Sequence, residues 1–152
     1  MTALRSCVPF GKMWGMRLDH PYSSLVTEGD YAWTCGQCPL DTSGNVLYAN
    51  DLVAQAKLVA EYIHVSLKDA SFTPSSVAKL VVYYTHTDTD QVLAMLQFFE
   101  QSFTGNALVV PIAVPPFYYE GMMIEVDVYA AKNHQPATTF TDPVSGLSLQ
   151  II

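Results

Sequence analysis

The sequence predicts an α+β domain in which a mixed β-sheet carries two helices on one face. A hairpin pattern opens the interpretable part of the chain, with apolar stretches at 24–28 and 31–35 split by a Glu-Gly-Asp turn. Two helical patterns follow, and stretches rich in β-branched and aromatic residues separate and succeed them. The order after the hairpin is therefore strand, helix, strand, helix, strand, strand, which is typical of a sheet layer covered by a helix layer.

The first helical pattern begins after Asn50 or Asp51, either of which can cap the helix. Apolar side chains recur at helical spacing on the side expected to face the sheet, whereas Gln55 is expected to lie mostly off that side. The apolar positions are Leu52, Ala56, Val59, Ala60, Ile63 and Leu67.

The second helix is predicted at about residues 90–103, after a strand at 77–86, with Asp88 or Asp90 as its cap. The last two strands are predicted at 107–114 and 122–131. In the final strand Glu125 and Asp127 share one face, because side chains alternate along a strand. Two such carboxylates repel each other, and this predicts either a general base of raised pKa or a solvated strand face.

The 152 residues are expected to form one domain, with a segment appended at each end. Residues 1–20 are predicted to be an N-terminal arm that packs on the core or on a neighbouring subunit. Residues 21–131 form the predicted domain, and residues 132–152 a C-terminal extension with a packing role rather than a site role.

Composition favours self-association and disfavours nucleic-acid binding. Half of the residues are hydrophobic and only 14% are charged, so we expect apolar surface to be covered by further copies of the chain. The net charge is −7 and the seven Lys and Arg residues are scattered, whereas a phosphate backbone requires a clustered basic face. A small molecule is the expected ligand.

Neither a metal nor an organic cofactor is expected. The pair Cys35 and Cys38 has redox-motif spacing, but a turn follows it instead of a helix, and no histidine pairs with it as a ligand. Phosphate-cradling and dinucleotide-binding glycine motifs are absent from the sequence.

A cytoplasmic location is expected. No apolar run is long enough to span a membrane. The three cysteines are an odd number, and their spacings are not those of a disulfide framework, which fits a reducing compartment.

Several motifs resemble the RidA (YjgF) family of reactive intermediate deaminases, which are small trimeric proteins. The similarity covers residues 21–131, and its motifs occur in the family's order. It implies a RidA-like (chorismate-mutase-like) fold and a homotrimer with a ligand pocket between each pair of subunits. The motifs are Pro21-Tyr22-Ser23, Gly36-Gln37, Pro39-Leu40-Asp41, Gly44, Gln55, the strand at 77–84 and the acidic-apolar strand at 124–130.

The resemblance also implies an activity, the hydrolysis of a small imine or enamine to a ketone and ammonia. It assigns Tyr22 to the motif tyrosine, Cys35 to a position usually held by serine, and Glu125 to the acidic position. The family's substrate-binding arginine has no counterpart: ungapped counting from Glu125 places Val110 there, and no Arg or Lys lies between Lys79 and Lys132. Loss of a guanidinium removes the bidentate grip on a carboxylate.

Three consequences of this replacement are open. Arg17 or Lys12 from the N-terminal arm could supply the missing charge. Alternatively, the ligand has no carboxylate and an apolar or aromatic molecule binds in the site. Finally, catalysis could be lost and binding retained. The residues expected beside such a ligand are Trp33, Gly36, Tyr83, Val110, Phe117, Tyr118 and Tyr119.

Two functions from different classes therefore follow. The first is an imine- or enamine-hydrolysing enzyme of altered specificity, with Glu125 and Tyr22 placed around a bound water and Cys35 as a candidate nucleophile. The second is a non-catalytic trimer that binds or senses a small metabolite.

Overall fold

The computed structural model describes residues 5–9, 14–15, 23–85, 87–133, 139–141 and 148–150. Two α-helices and a mixed sheet form the main body. The strands are β1 (Arg5–Pro9), β2 (Ser23–Glu28), β3 (Tyr31–Thr34), β4 (Val77–Thr85), β5 (Leu108–Val114), β6 (Ile124–Ala131), β7 (Thr139–Thr141) and β8 (Ser148–Gln150). The helices are α1 (Leu52–Asp69) and α2 (Thr89–Ser102), and a 3₁₀ turn, Pro74–Ser76, precedes β4.

Six strands form one sheet in the order β1-β2-β3-β6-β4-β5. Its neighbours are antiparallel except β4 and β5, which run parallel because α2 crosses over between them. Both helices pack on one face, so the predicted fold class is confirmed. None of the described helices combines the length and apolar character needed to cross a bilayer.

Both α-helices begin at an aspartate cap. The Asp51 carboxylate accepts a hydrogen bond from the Ala54 backbone N–H at 2.9 Å, and Asp88 accepts one from the Gln91 N–H at 3.0 Å. Of the alternatives the sequence offered, Asp51 and Asp88 are therefore the caps, and α2 begins one residue before Asp90.

The segments at the two ends contain short strands. β1 lies within the segment predicted as an N-terminal arm, and it extends the sheet by antiparallel pairing with β2. In the C-terminal segment β7 and β8 pair with each other and form a separate two-stranded sheet. His86, at the predicted end of β4, lies outside the described residues.

The buried core fills the space between the helices and the sheet. It contains the apolar side of α1, and alternate residues of β6 from Ile124 to Ala130. The opposite face of the sheet, which we call the open face, is not covered by either helix. It carries five exposed apolar or aromatic side chains: Tyr31, Trp33, Leu108, Ile112 and Tyr129.

Gln55 departs from the sequence prediction, because it is fully buried instead of lying off the packed side of α1. Its side-chain amide donates to the backbone carbonyls of Leu47, Tyr48 and Gly121, and its side-chain oxygen accepts from the Met123 N–H at 2.8 Å. The amide thereby links backbone groups of two loops, although the Tyr48 and Gly121 carbonyls also accept from the Asp51 and Asn50 N–H groups. Gln55 joins the start of α1 to the start of β6.

Replacement of Gln55 by leucine is expected to lower the free energy of unfolding by about 2–4 kcal/mol, because the Leu47 carbonyl and the Met123 N–H lose the partner that Gln55 provides. Gln97→Leu is the matched control, since Gln97 is exposed on α2 and its replacement is expected to change the value by less than about 0.5 kcal/mol. Urea denaturation followed by circular dichroism measures both. Equal stability of the two variants would contradict the assigned role.

Candidate functional site

A pocket of about 380 Å³ lies beside the start of β6, next to the segment that follows β3. Aromatic and apolar side chains form most of its wall, and one carboxylate, that of Glu125, reaches it. The lining residues are Trp14, Cys35, Gly36, Cys38, Leu40, Phe117, Tyr118, Tyr119, Met122 and Glu125.

Gln37 fixes the segment 35–38 against β6. Its backbone exchanges two hydrogen bonds with Val126, of 2.8 and 3.1 Å. Its side chain is fully buried, accepts from the Trp14 indole N–H at 3.3 Å and donates to the Cys35 carbonyl at 3.0 Å. The backbone and the side chain together set the position of Gly36, one wall of the pocket.

The absence of a side chain at Gly36 leaves the space that the Glu125 carboxylate occupies. A Cβ atom at residue 36 would overlap the carboxylate, so any other residue there would displace one of the two. The backbone conformation does not require glycine; the close approach does. Glu125 therefore lies across Gly36 at the boundary of the pocket.

Burial raises the pKa of Glu125 above its ordinary value, and the neighbouring Asp127 carboxylate raises it further. The Cys38 thiol donates a hydrogen bond to Glu125, which partly offsets the shift. Burial also raises the pKa of Asp127, and a hydrogen bond from the Tyr83 hydroxyl opposes this change. Glu125 is therefore a half-buried carboxyl group that accepts a proton more readily than a solvated one.

The two cysteines of the pocket are present as neutral thiols. Burial, and then repulsion from Glu125 and Asp127, raises the pKa of Cys35 to about 12. Burial also raises the pKa of Cys38 well above its ordinary value, and repulsion from Glu125 raises it further. The Cys35 thiol donates to the Gly36 carbonyl at 3.6 Å, and the Cys38 sulfur lies 3.6 Å from the same oxygen. Because the thiolate is the nucleophile, these shifts work against the predicted nucleophilic role of Cys35.

Six of the residues predicted for the site meet in this pocket: Cys35, Gly36, Phe117, Tyr118, Tyr119 and Glu125. Trp33 does not lie there, because it lines a separate cavity of about 620 Å³ beside the β2–β3 turn and stacks on Tyr31. Tyr22, Arg17 and Lys12 lie outside the described residues.

Val110 lies on β5, paired with Val81 of β4, which is paired in turn with Asp127. It shares the open face with Asp127, two strands away, and does not line the pocket beside Glu125. Among the pocket's lining residues in the described part of the chain, none is a lysine or an arginine. Within the same part, no cluster of three His, Cys, Asp or Glu side chains is arranged to hold a metal ion.

A second cavity, of about 330 Å³, adjoins the pocket at the ends of β4 and β5. Phe117 and Glu125 line both cavities. The other residues of the second cavity are Tyr83, Val114, Pro115 and Pro116. Glu125 is therefore accessible from two sides.

The sequence did not identify Trp14, Leu40 or Met122 as lining residues. Trp14 comes from a stretch without periodicity, and Met122 precedes the strand that carries Glu125. Their assembly depends on contacts between distant segments, including the hydrogen bond from Trp14 to Gln37. No local sequence pattern indicates that these three residues line the same pocket.

The layered fold and the carboxylate pocket are the features of a Rid/YjgF-type protein. The chain belongs to the family described as Endoribonuclease L-PSP, whose sequence model matches residues 16–132. A RutC family protein of Pyrococcus abyssi is 32% identical over 63 residues, which are 41% of this chain and 50% of that protein. The chain spans about half the length of the curated relatives it matches.

Solved structures share the fold at low sequence identity. A Rid family protein of unknown function from Yersinia pestis, YyfA, has a TM-score of 0.71 and 19% identity, over 84% of this chain and 99% of that one. TdcF of E. coli, solved with bound serine, has a TM-score of 0.69 and 18% identity, over 84% of this chain and 99% of that one. These structural similarities show that the chain shares the fold of these proteins over 84% of its length.

The raised pKa of Glu125 has a consequence for stability. An acid whose pKa is higher in the folded state than in the unfolded state binds more protons when folded, so its stabilising contribution is lost as pH rises through the folded value. We expect Glu125→Gln, compared with the parent chain, to gain in free energy of unfolding as pH rises from 4.5 to neutral.

Urea denaturation at a series of pH values measures this difference. Glu120→Gln, which replaces an exposed glutamate near the pocket, is the control and should show no such trend. A difference between Glu125→Gln and the parent that stays constant across the range would contradict the raised pKa.

Proposed function

We propose that the protein binds a small ligand without a carboxylate in the Glu125 pocket and hydrolyses a C=N bond in it. The observation that carries this proposal is the position of Glu125, a half-buried carboxyl group of raised pKa at the boundary of an aromatic cavity. A general base needs a pKa nearer to neutrality than a solvated glutamate has, and burial supplies that change.

The reaction needs one group that moves protons. Glu125 takes a proton from water as the oxygen attacks the imine carbon, and then passes it to the nitrogen. The C–N bond breaks with its electron pair on nitrogen while the carbinol O–H proton moves through Glu125 to the same nitrogen, so R₂C=NH and H₂O give R₂C=O and NH₃. In this scheme Tyr22 positions the water, as the family resemblance implies, and Cys35 contacts the ligand as a neutral thiol.

The choice of ligand follows from the charges. The lining residues of the described chain include a carboxylate and no cation, which disfavours a second carboxylate on the ligand. Val110 in place of the family's arginine supports the same conclusion. TdcF, whose structure holds serine, binds a ligand with a carboxylate, and we place this chain in a different ligand class. The scattered cations also argue against the ribonuclease activity in the family description.

The alternative is a non-catalytic trimer that binds or senses a small metabolite. The absence of a cation among the described lining residues favours it, because a substrate not held at a fixed point loses most of the advantage of orientation. The intact placement of Glu125 against Gly36 favours the enzyme.

Glu125→Gln is expected to lower the rate of imine hydrolysis by about 10²- to 10⁴-fold, because the amide cannot accept the proton of water. Glu120→Gln is expected to keep the parent rate. Ammonia release is measured above the uncatalysed rate with a 2-imino acid and with the corresponding imine that lacks the carboxylate, and the second should be the better substrate. Release from neither substrate would favour the binding protein.

We further propose that the chain forms a homotrimer in the cytoplasm, with its ligand pockets completed between subunits. Five large apolar or aromatic side chains are exposed on the open face, between 38% and 61%, and a neighbouring subunit would cover them. The three cysteines are all free, which fits a reducing compartment.

Sedimentation equilibrium is expected to give three times the mass of the chain. Ile112→Lys should shift the distribution towards monomer, because it places a charge on the open face. Leu93→Lys is the matched control, since Leu93 is equally apolar and exposed but lies on α2. A monomeric parent chain, or equal effects of the two lysines, would contradict the proposed interface.

A further inference from the structure

The two cavities that meet at Glu125 offer apolar space on both sides of one carboxylate. On one side stand the rings and side chains of Tyr119 and Met122, and on the other those of Val114 and Pro116. Because Glu125 and Phe117 line both cavities, a group bound to the carboxylate faces about 380 Å³ in one direction and about 330 Å³ in the other. Each volume is large enough for a substituent of the size of a phenyl ring.

The charges of the residues around Glu125 favour a ligand group that carries a positive charge. Glu125 and Asp127 project from the same face of β6, and no lysine or arginine is among the described residues that line either cavity. A cation beside a half-buried carboxylate gains Coulomb energy that is screened less than at the surface. Phe117 and Tyr119 line the pocket with Glu125, and aromatic rings attract an ammonium-type group. An anion would meet repulsion from both carboxylates.

We propose that the ligand of this site is a protonated nitrogen with a substituent on each side, so that the substrate is an N-substituted iminium ion. The nitrogen lies at Glu125, one substituent enters the cavity beside Tyr119 and the other enters the cavity beside Val114. An unsubstituted imine would fill one cavity and leave water in the other. Hydrolysis of this iminium ion rests on the function proposed above, whereas the preferential binding of a cation with two substituents does not.

The products differ from those of an unsubstituted imine. Water adds to the carbon of R₁R₂C=NH⁺–R₃, and the π electrons move to nitrogen. Glu125 accepts a proton from the attacking water and returns it to nitrogen, after which the C–N bond breaks with its electron pair on nitrogen. The C=O bond forms as the carbinol hydroxyl gives its proton to Glu125, which passes it to the departing amine. The sum is R₁R₂C=NH⁺–R₃ + H₂O → R₁R₂C=O + R₃–NH₃⁺, which balances in atoms and charge. The nitrogen product is therefore a primary amine and not ammonia.

Three simple probes test the binding geometry on the intact parent protein. Dibenzylamine carries the charge and two arms, benzylamine carries the charge and one arm, and dibenzyl ether carries two arms without charge. By isothermal titration calorimetry, dibenzylamine is expected to bind at least about tenfold more tightly than either of the others. Equal affinity of the amine and the ether, or of the two amines, would overturn the proposal.

Two variants assign the effect to the cavities. Glu125→Gln is expected to abolish the preference for dibenzylamine over dibenzyl ether, and Glu120→Gln to retain it. Val114→Phe, which fills the cavity at the end of β5, is expected to bring dibenzylamine to the affinity of benzylamine while benzylamine binding stays the same. A Val114→Phe protein that keeps the preference for two arms would contradict the proposal. Thermal denaturation checks that each variant is folded, and the probe series on the parent chain remains decisive if one is not.

Turnover separates this inference from the function on which its chemistry rests. Hydrolysis of N-benzylidenebenzylamine, with benzylamine measured as product above the uncatalysed rate, would support both. Ammonia release from an unsubstituted imine, without turnover of N-benzylidenebenzylamine, would support hydrolysis and overturn the substituted substrate. Selective binding of dibenzylamine without turnover of any imine would support the two-armed cation site and overturn the enzyme.

Discussion

The pairing of residue 37 with Val126 is the constraint on which the pocket depends. Two backbone hydrogen bonds hold a short loop segment against β6, and the buried Gln37 side chain ties the same segment to Trp14. A buried amide that satisfies several partners fixes one geometry, because each alternative leaves a polar group without a partner. Gly36 is held at its closest approach to Glu125 as a direct result. The thiols and the carboxylate are thus positioned by the polar contacts of Gln37, whereas Phe117 and Tyr119 of the aromatic wall join the pocket by apolar packing.

That close approach explains the unusual electrostatics of Glu125. The carboxylate is partly removed from water, and its nearest charged neighbour, Asp127, has the same sign. Each carboxylate accepts a different donor, the Cys38 thiol for Glu125 and the Tyr83 hydroxyl for Asp127, so the repulsion is reduced but not removed. Burial, and then the same two charges, keeps both thiols protonated. The pocket therefore has proton-transfer capacity at a carboxyl group and little nucleophilic capacity at sulfur.

The sequence predicted what depends on local pattern. The alternation along β6 and the helical spacing in α1 identified the layers, and the sequence assigned Glu125 and Gly36 to the site without indicating that the two are in contact. Gln55 was misjudged because its partners Gly121 and Met123 lie 66 and 68 residues away, and a polar residue in a helix gives no sign of such contacts. β1 was not foreseen because five residues next to a proline carry too little periodicity. Trp14 was missed for the same reason, and Trp33 was grouped with the pocket because composition cannot distinguish two aromatic surfaces.

Charge and proton transfer are coupled at Glu125, and this coupling connects the proposed ligand with the proposed chemistry. Without ligand, burial and Asp127 raise the pKa of Glu125 and favour its protonated form. A cation at the carboxylate acts in the opposite direction, since an opposite charge nearby lowers the pKa of an acid. An iminium ion would thus ionise the group that must accept the proton of water, and the C–N cleavage that follows would leave the charge on the departing ammonium. A neutral ligand leaves Glu125 more protonated, and an anion would raise its pKa further. The same arrangement that selects a cation therefore keeps Glu125 more ionised, and thus more available as a base, when a cation is bound.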